Sequence, residues 1–204
     1  GPWAGSTLSE LIGRFGAELL GKANYARFGQ EFPLLVKFID AREDLSIQVH
    51  PDDELARKRH GKSGKCEMWY VLEAEPGASL LTGFSRPIAP AEYERRVADN
   101  TLTDVLNRQA IASGDVFYLP AGRVHSIGKG SFIVEIQQSS DITYRIYDFD
   151  RRDAAGNSRE LHTELARDAI DFESSENSRI TYAPENNQEV RLVTTPYFTT
   201  SLYT

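Results

Sequence analysis

The stretch of sequence that decides the fold is GDVFYLPAGRVH, residues 114–125. A glycine is followed by five residues, a proline, one spacer, a second glycine, two residues and a histidine. The run Val116 to Leu119 is apolar or aromatic and predicts a short strand. Proline and glycine directly after it predict a tight turn. We therefore expect this turn to present His125 beside the strand.

A second stretch, LSIQVHP over residues 45–51, predicts a strand that ends in a turn at its proline. Residues two apart on a strand point to the same side, so Gln48 and His50 share a face. Two imidazoles, one carboxylate and one amide oxygen are ligands suited to a divalent transition metal, with zinc as the first candidate. The alternative is that both histidines are strand-end residues in ordinary hydrogen bonds. The candidate ligands are Gln48, His50, Glu67 and His125.

The glycine-to-histidine spacing resembles the second characteristic motif of the cupin β-barrels. Three further blocks, at 33–53, 64–72 and 125–145, resemble the zinc-dependent mannose-6-phosphate isomerases, most strongly their short bacterial form. The resemblance spans about residues 33 to 152. It implies an all-β cupin (jelly-roll) barrel with helical additions. It also implies one zinc ion per chain, held by the four candidate ligands.

The activity that the resemblance implies is interconversion of mannose 6-phosphate and fructose 6-phosphate through an enediol intermediate. A bound metal would stabilise the charge that develops on the sugar oxygens, and a base would carry the carbon-bound proton. Arg145 matches the catalytic arginine of the family, with a salt bridge to Asp141 or Asp148 as the structural alternative. Lys65, two residues before Glu67, is a candidate base, with a solvated loop lysine as the alternative.

Three further residues are candidates for holding the substrate's phosphate group. Ser46 shares the ligand face and resembles a phosphate-contacting serine of the family. Lys129 and Arg151 supply cations, although both are equally compatible with a solvated surface. Two other functions stay open at this point: a metal-dependent cupin oxygenase, and a non-catalytic metal-binding sensor of sugar phosphates.

Composition limits the classes of partner. The 204 residues carry a formal net charge of −7, which argues against a general nucleic-acid binder. An anionic substrate would therefore need a local basic cluster. Cys66 is the only cysteine, which fits a cytoplasmic protein, and no stretch has the roughly 18–20 apolar residues of a membrane span. The oligomeric state is left open.

The pattern predicts three regions: an N-terminal helical segment over 1–30, a barrel with the metal site over 31–152, and a linker, helix and start of a further β segment over 153–204. Because members of the resembled family begin earlier and continue further, we expect the chain to be a fragment. Within these regions the patterns predict a helix over 6–18, a strand over 32–39 buried on both faces, a hairpin of strands 67–73 and 79–83, a helical stretch over 89–106, and a helix over 160–170.

Overall fold

The computed structural model describes residues 1–173 and 177–204. The described α-helices are α1 Leu8–Phe15, α2 Ala17–Leu20, α3 Lys22–Phe28, α4 Asp53–His60, α5 Pro90–Ala98 and α6 Thr163–Arg167, with a 3₁₀ turn at Leu102–Val105. The described strands are β1 Leu34–Ala41, β2 Ile47–Val49, β3 Glu67–Ala74, β4 Ser79–Phe84, β5 Leu106–Ala110, β6 Val116–Leu119, β7 His125–Ile127, β8 Ser131–Gln138, β9 Tyr144–Tyr147, β10 Arg179–Ile180, β11 Glu189–Thr194 and β12 Thr199–Tyr203.

Ten of these strands form two five-stranded sheets, and β11 and β12 form a separate hairpin. Sheet A has the order β1-β8-β3-β6-β10, and sheet B has the order β5-β4-β7-β2-β9. Neighbouring strands of both sheets pair antiparallel. The structure is thus mostly β with helical additions, as the sequence predicts.

The two sheets pack face to face. One apolar cluster combines Trp69 and Phe117 of sheet A with Leu80 and Ile127 of sheet B, and all four are buried. The outer face of sheet B packs against α4, α5 and α6. The outer face of sheet A packs against the β11–β12 hairpin. Burial of these three apolar layers is the main favourable contribution to folding.

The N-terminal region holds three short helices, as predicted for residues 1–30. Thr7 caps α1 in a capping box with Glu10, which satisfies backbone donors at the helix start. The predicted helix over 6–18 is interrupted at Gly16, whose φ of 49° a residue with a side chain rarely adopts. The sequence pattern therefore located the helical region and missed the break in it.

The expectation that the strand at 32–39 is buried on both faces is wrong. β1 is the edge strand of sheet A, and Val36 and Phe38 are 52% and 70% exposed. A continuous apolar run is typical of a central strand, but here only one neighbour, β8, covers it.

The expected hairpin of 67–73 and 79–83 is also wrong. The two segments are strands, but β3 belongs to sheet A and β4 to sheet B. The Pro76–Gly77 turn between them therefore crosses from one sheet to the other. The helical stretch expected over 89–106 ends earlier, because α5 stops at Ala98 and β5 begins at Leu106.

The C-terminal region contains a helix and a β-hairpin, of which the helix is shorter than predicted. α6 covers only Thr163–Arg167, and β11 and β12 pair as an antiparallel hairpin. Residues 174–176 of the expected linker lie outside the described residues. In the described ranges, no helix has the length and apolar character needed to span a membrane.

Candidate metal centre

Strand register brings the predicted ligands onto facing rows of the two sheets. In sheet B, Gln48 of β2 lies opposite His125 of β7 on one side and Arg145 of β9 on the other. In sheet A, Glu67 lies opposite Gln137 of β8. Directly opposed residues have neighbouring side chains on one face, so each row points into the space between the sheets.

Two glycines hold the loops that carry the ligands. The Gly122 amide donates to the His50 carbonyl at 2.9 Å, which joins the turn before His125 to the end of β2. Gly64 packs on the start of α4 so closely that an added Cβ would lie 2.4 Å from the backbone carbon of Asp52. This close approach directs the chain from Gly64 into β3, where Glu67 is the first residue.

His50, Glu67 and His125 form a buried cluster whose ligand atoms all lie within 4.8 Å of one another. Glu67 Oε1 is 3.1 Å from His125 Nε2, and Glu67 Oε2 is 3.4 Å from His50 Nε2. Even so, both carboxylate oxygens and His50 Nε2 lack a hydrogen-bond partner of proper geometry among the described residues. Buried polar atoms without partners are unfavourable, so their convergence on one point fits a site built for a cation.

The second nitrogen of each ring fixes how the imidazoles are oriented. His50 Nδ1 lies 2.9 Å from the Ile142 carbonyl, and His125 Nδ1 lies 2.8 Å from the Arg123 carbonyl. In each ring Nδ1 therefore carries the proton and donates it, which leaves Nε2 with a lone pair directed at the cluster. Such backbone contacts are typical of metal-binding histidines.

Charge and burial keep this cluster in the protonation state that a metal requires. Burial first, and then the charge of Lys65, lower the pKa of His50 to about 4, so this ring is neutral near pH 7. Burial alone would raise the pKa of Glu67, but the neighbouring basic groups of His125, Lys65 and His50 together hold it well below its ordinary value. Neutral imidazole and ionised carboxylate are the ligand forms of these groups.

Gln48 and Lys65 complete the immediate surroundings. The Gln48 amide nitrogen lies 3.3 Å from His125 Nε2, and rotation of the amide by 180° presents its oxygen at the same place. Lys65 Nζ lies 3.0 Å from Glu67 Oε2, and this side chain is only 5% exposed. The alternative of a solvated loop lysine is therefore wrong for Lys65.

Arg145 lies at the mouth of the cluster in a half-buried position. Its Nη1 donates to the Glu160 carbonyl at 2.9 Å, and its buried Nε lacks a partner. Among the described residues it forms no salt bridge, because Asp141 contacts Lys62 and Asp148 contacts Arg151 and Arg159. The alternative of a structural ion pair with Asp141 or Asp148 is therefore not what the structure contains.

Ser46 and Arg151 both lie near Asp148. Ile47 pairs with Tyr147, and one further step in this antiparallel register sets Ser46 opposite Asp148. Arg151 donates to Asp148 directly. Both candidate phosphate contacts are thus near Arg145, which is three residues before Asp148.

Lys129 is the one predicted site residue that the structure separates from the others. It is exposed in the turn between β7 and β8, next to Ser131, which pairs with Ala74 at the far end of β3 from Glu67. Seven residues of strand correspond to about 23 Å. The prediction that Lys129 contacts the substrate is corrected accordingly.

The sequence reasoning missed Lys37 and Arg159, and it considered Asp148 only as a possible partner of Arg145. Lys37 Nζ donates to Glu135 at 2.8 Å and to Gln137 at 2.6 Å, and Trp69 donates to the other oxygen of Glu135 at 3.0 Å. Because the Trp69 ring meets His125 edge-on, this network supports the cluster. Lys37 interrupts the apolar run of β1, which was a usable signal, whereas Arg159 had none.

The fold and the site together define a class: a protein of two facing β-sheets with a buried two-histidine, one-carboxylate centre between them. A family model described as phosphomannose isomerase type I, catalytic domain, matches residues 5–84. A mannose-6-phosphate isomerase of Streptococcus mutans is 38% identical over 200 residues, which cover 98% of this chain and 61% of the relative. The chain therefore matches the type I phosphomannose isomerase catalytic domain over residues 5–84 and is similar over nearly its whole length to a mannose-6-phosphate isomerase.

Other relatives and solved structures agree with this assignment. The probable mannose-6-phosphate isomerase GmuF of Bacillus subtilis is 41% identical over 83% of this chain and 52% of its own length. The crystal structure of the mannose 6-phosphate isomerase from Bacillus subtilis superimposes with a TM-score of 0.87 and 34% identity, covering 98% of this chain and 62% of that one. The chain thus spans between half and two thirds of the length of these relatives.

Proposed function

We propose that this chain carries the metal centre of an isomerase that interconverts mannose 6-phosphate and fructose 6-phosphate through an enediol intermediate. The observation that carries the proposal is the convergence of three buried, unpartnered ligand atoms from Glu67 and His50 beside His125. The relatives named as mannose-6-phosphate isomerases support the choice of substrate.

Zinc is the proposed metal, one ion per chain, with Gln48, His50, Glu67 and His125 as ligands. Imidazole nitrogens and a carboxylate suit zinc, which favours four ligands in structural sites and three plus an exchangeable position in catalytic ones. When bound, zinc would act as a Lewis acid that stabilises negative charge on the sugar oxygens. The amide of Gln48 adds no charge to the ligand set.

Lys65 and Arg145 are proposed to act on the reacting atoms. Isomerisation removes the proton from carbon 2 of the aldose and returns one to carbon 1, while a proton moves from oxygen 2 to oxygen 1. Lys65 is the proposed proton carrier, because its buried amine lies beside Glu67. Arg145 presents a permanent charge to the enediolate oxygens, and Ser46 and Arg151 are proposed to contact the phosphate.

The finer description of the fold belongs to the same proposal. We infer that sheets A and B are the two layers of a cupin jelly-roll barrel, and that residues 31–152 form the metal-binding unit. The N-terminal helices over 1–30 and the segment 153–204 would then be additions to it. A cytoplasmic location is proposed from the single, buried Cys66.

Turnover of mannose 6-phosphate before chelation, after chelation and after addition of zinc tests the proposal. We expect activity to vanish with the chelator and to return with zinc. A zinc-loaded, folded protein without turnover would contradict it. Lys65→Met should abolish turnover without releasing zinc, whereas Lys62→Met, which alters a lysine with a 56% exposed side chain nearby, should change neither.

Arg145→Ala separates the enzyme from its alternatives. An isomerase should lose turnover and keep zinc, whereas a sensor of sugar phosphates should lose only affinity. A cupin oxygenase would require iron in place of zinc and would consume oxygen. The family relationship favours neither alternative.

A further inference from the structure

Two guanidinium groups share the carboxylate of Asp148. Arg159 donates from Nε to Oδ2 at 2.7 Å and from Nη2 to Oδ1, while Arg151 also donates to Oδ1. Asp148 is 5% exposed, whereas the Arg159 side chain is 52% exposed. The buried carboxylate therefore fixes an arginine whose other edge faces solvent.

An extra residue in β9 turns Asp148 toward the metal centre. Gln48 pairs with Arg145 and the preceding Ile47 pairs with Tyr147, so Ile146 is inserted as a β-bulge. Tyr147 consequently packs on the helix side of sheet B with Ile47. Asp148, the next residue, then points to the opposite side, which is the side of Gln48 and Arg145.

The resulting cluster is rich in positive charge. The carboxylate of Asp148 is held by the guanidinium groups of Arg151 and Arg159. Arg145 lies beside them, because its Nη1 donates at 2.9 Å to the carbonyl of Glu160, the residue after Arg159. Burial first, and next the charge of Arg159, lower the pKa of Arg145. On a chain of net charge −7, such a cluster is where an anion would be attracted.

Arg159 and Arg145 retain donors that the described residues do not use. Asp148 occupies Nε and Nη2 of Arg159, and in the described part of the chain Nη1 of this residue makes no hydrogen bond. Nε of Arg145 is buried and unpartnered. Phosphate oxygens accept such charge-assisted hydrogen bonds readily.

We propose that Arg159, held in place by Asp148, is a further anion-binding residue that contacts the phosphate of the substrate beside Arg145. The proposal names one more contact in the proposed isomerase site and rests on that function. Arg159 lies 14 positions after Arg145 in the sequence, and the hydrogen bonds of Arg145 with Glu160 and His162 bring the two segments together.

The test compares Arg159→Ala with Arg152→Ala in the zinc-loaded protein. Arg152 is an exposed arginine of the same loop, and it donates to the Gly156 carbonyl. We expect Arg159→Ala to raise the KM for mannose 6-phosphate by about tenfold with kcat within about twofold, since one charge-assisted hydrogen bond is lost. Arg152→Ala should leave both constants unchanged.

Calorimetric titration with inorganic phosphate gives a readout that does not depend on turnover. Arg159→Ala should weaken phosphate binding by a similar factor, and Arg159→Lys should show an intermediate loss because it keeps the charge without the two-point contact to Asp148. Equal phosphate affinities for the two alanine variants would overturn the proposal. The two proposals can also fail separately. If the wild-type protein shows no turnover but Arg159→Ala still weakens phosphate binding, the anion site is supported and the proposed isomerase activity is contradicted.

Discussion

The carboxylates of Glu67 and Asp148 are both buried among basic groups, but they differ in whether their oxygens are satisfied. Asp148 accepts hydrogen bonds on both oxygens from Arg151 and Arg159. Glu67 lies close to Lys65 and two histidines, yet neither of its oxygens has a hydrogen-bond partner. A satisfied carboxylate holds its neighbours in position, whereas an unsatisfied one indicates that a ligand is needed.

The largest effect is expected from Glu67→Gln, which removes the unsatisfied carboxylate itself. Zinc content should fall from one ion per chain to almost none, and turnover should fall by roughly 10³-fold because the charge stabilisation is lost. Metal analysis and initial rates measure both. Glu73→Gln on the same strand is the control, since Glu73 is exposed. Retention of zinc by Glu67→Gln would contradict the interpretation that the unsatisfied carboxylate of Glu67 binds the metal.

Acidification should distinguish the two centres in the metal-free protein. The folded state resists protonation of His50, whose pKa is about 4, while the unfolded chain takes up this proton near 6.5. Lowering the pH from 6.5 to 4 should therefore reduce the free energy of unfolding by about 3 kcal/mol, and the effect is absent above pH 6.5.

Asp148 should not contribute to this loss of unfolding free energy between pH 6.5 and 4. Hydrogen bonds from Arg159 are the main reason that its pKa lies below the ordinary 3.8, so its contribution is lost only in stronger acid. Urea unfolding of chelated protein at pH 7, 5.5 and 4.5 measures the difference. In His50→Gln, the free energy of unfolding should depend much less on pH over this range. An unchanged pH dependence in that variant would contradict the assignment of the effect to His50.

A smaller effect is expected from Asp148→Asn. The amide cannot hold two guanidinium groups, so Arg151 and Arg159 should lose their fixed positions, and kcat/KM should fall by roughly 10-fold to 100-fold, as for other residues that orient an active site. Zinc content should stay at the wild-type level. Loss of zinc together with activity would show that the two centres are not separate.

The smallest effect is expected on β1, away from both carboxylates. Phe38→Thr should change the free energy of unfolding by no more than about 0.5 kcal/mol, because Phe38 is 70% exposed. Phe117→Thr, in the buried layer between the sheets, should cost about 3 kcal/mol or more. Thermal and urea unfolding of the two variants provide the comparison, and similar losses would mean that β1 is covered in solution.

The sequence predicted the strands that carry the ligands better than it predicted how strands associate. Motif spacing and the family resemblance together located Gln48, His50, Glu67 and His125, because these patterns are local features of the sequence. Pairing is not local information, so the expected hairpin of β3 and β4 was wrong. β1 was predicted as fully buried because its composition is the same for a central strand and for an exposed edge strand.

The arginine cluster was only partly predictable. Arg145 was found by resemblance and Arg151 as a further cation, but Asp148 was seen only as a possible partner of Arg145. Its actual role depends on one inserted residue in β9, which reverses the side to which every later side chain of the strand points. Sequence alternation alone places Asp148 on the wrong side of the sheet.

The bulge at Ile146 also has a consequence for which changes β9 can accept. Substitution of Ile146 by another apolar residue alters only its packing against the helices. Deletion of the same residue would turn Asp148 toward that apolar layer and leave two arginines without their anchor. β9 therefore tolerates variation in composition but not in length, and an engineered or aligned version of this strand should be matched residue for residue from Tyr144 to Asp148.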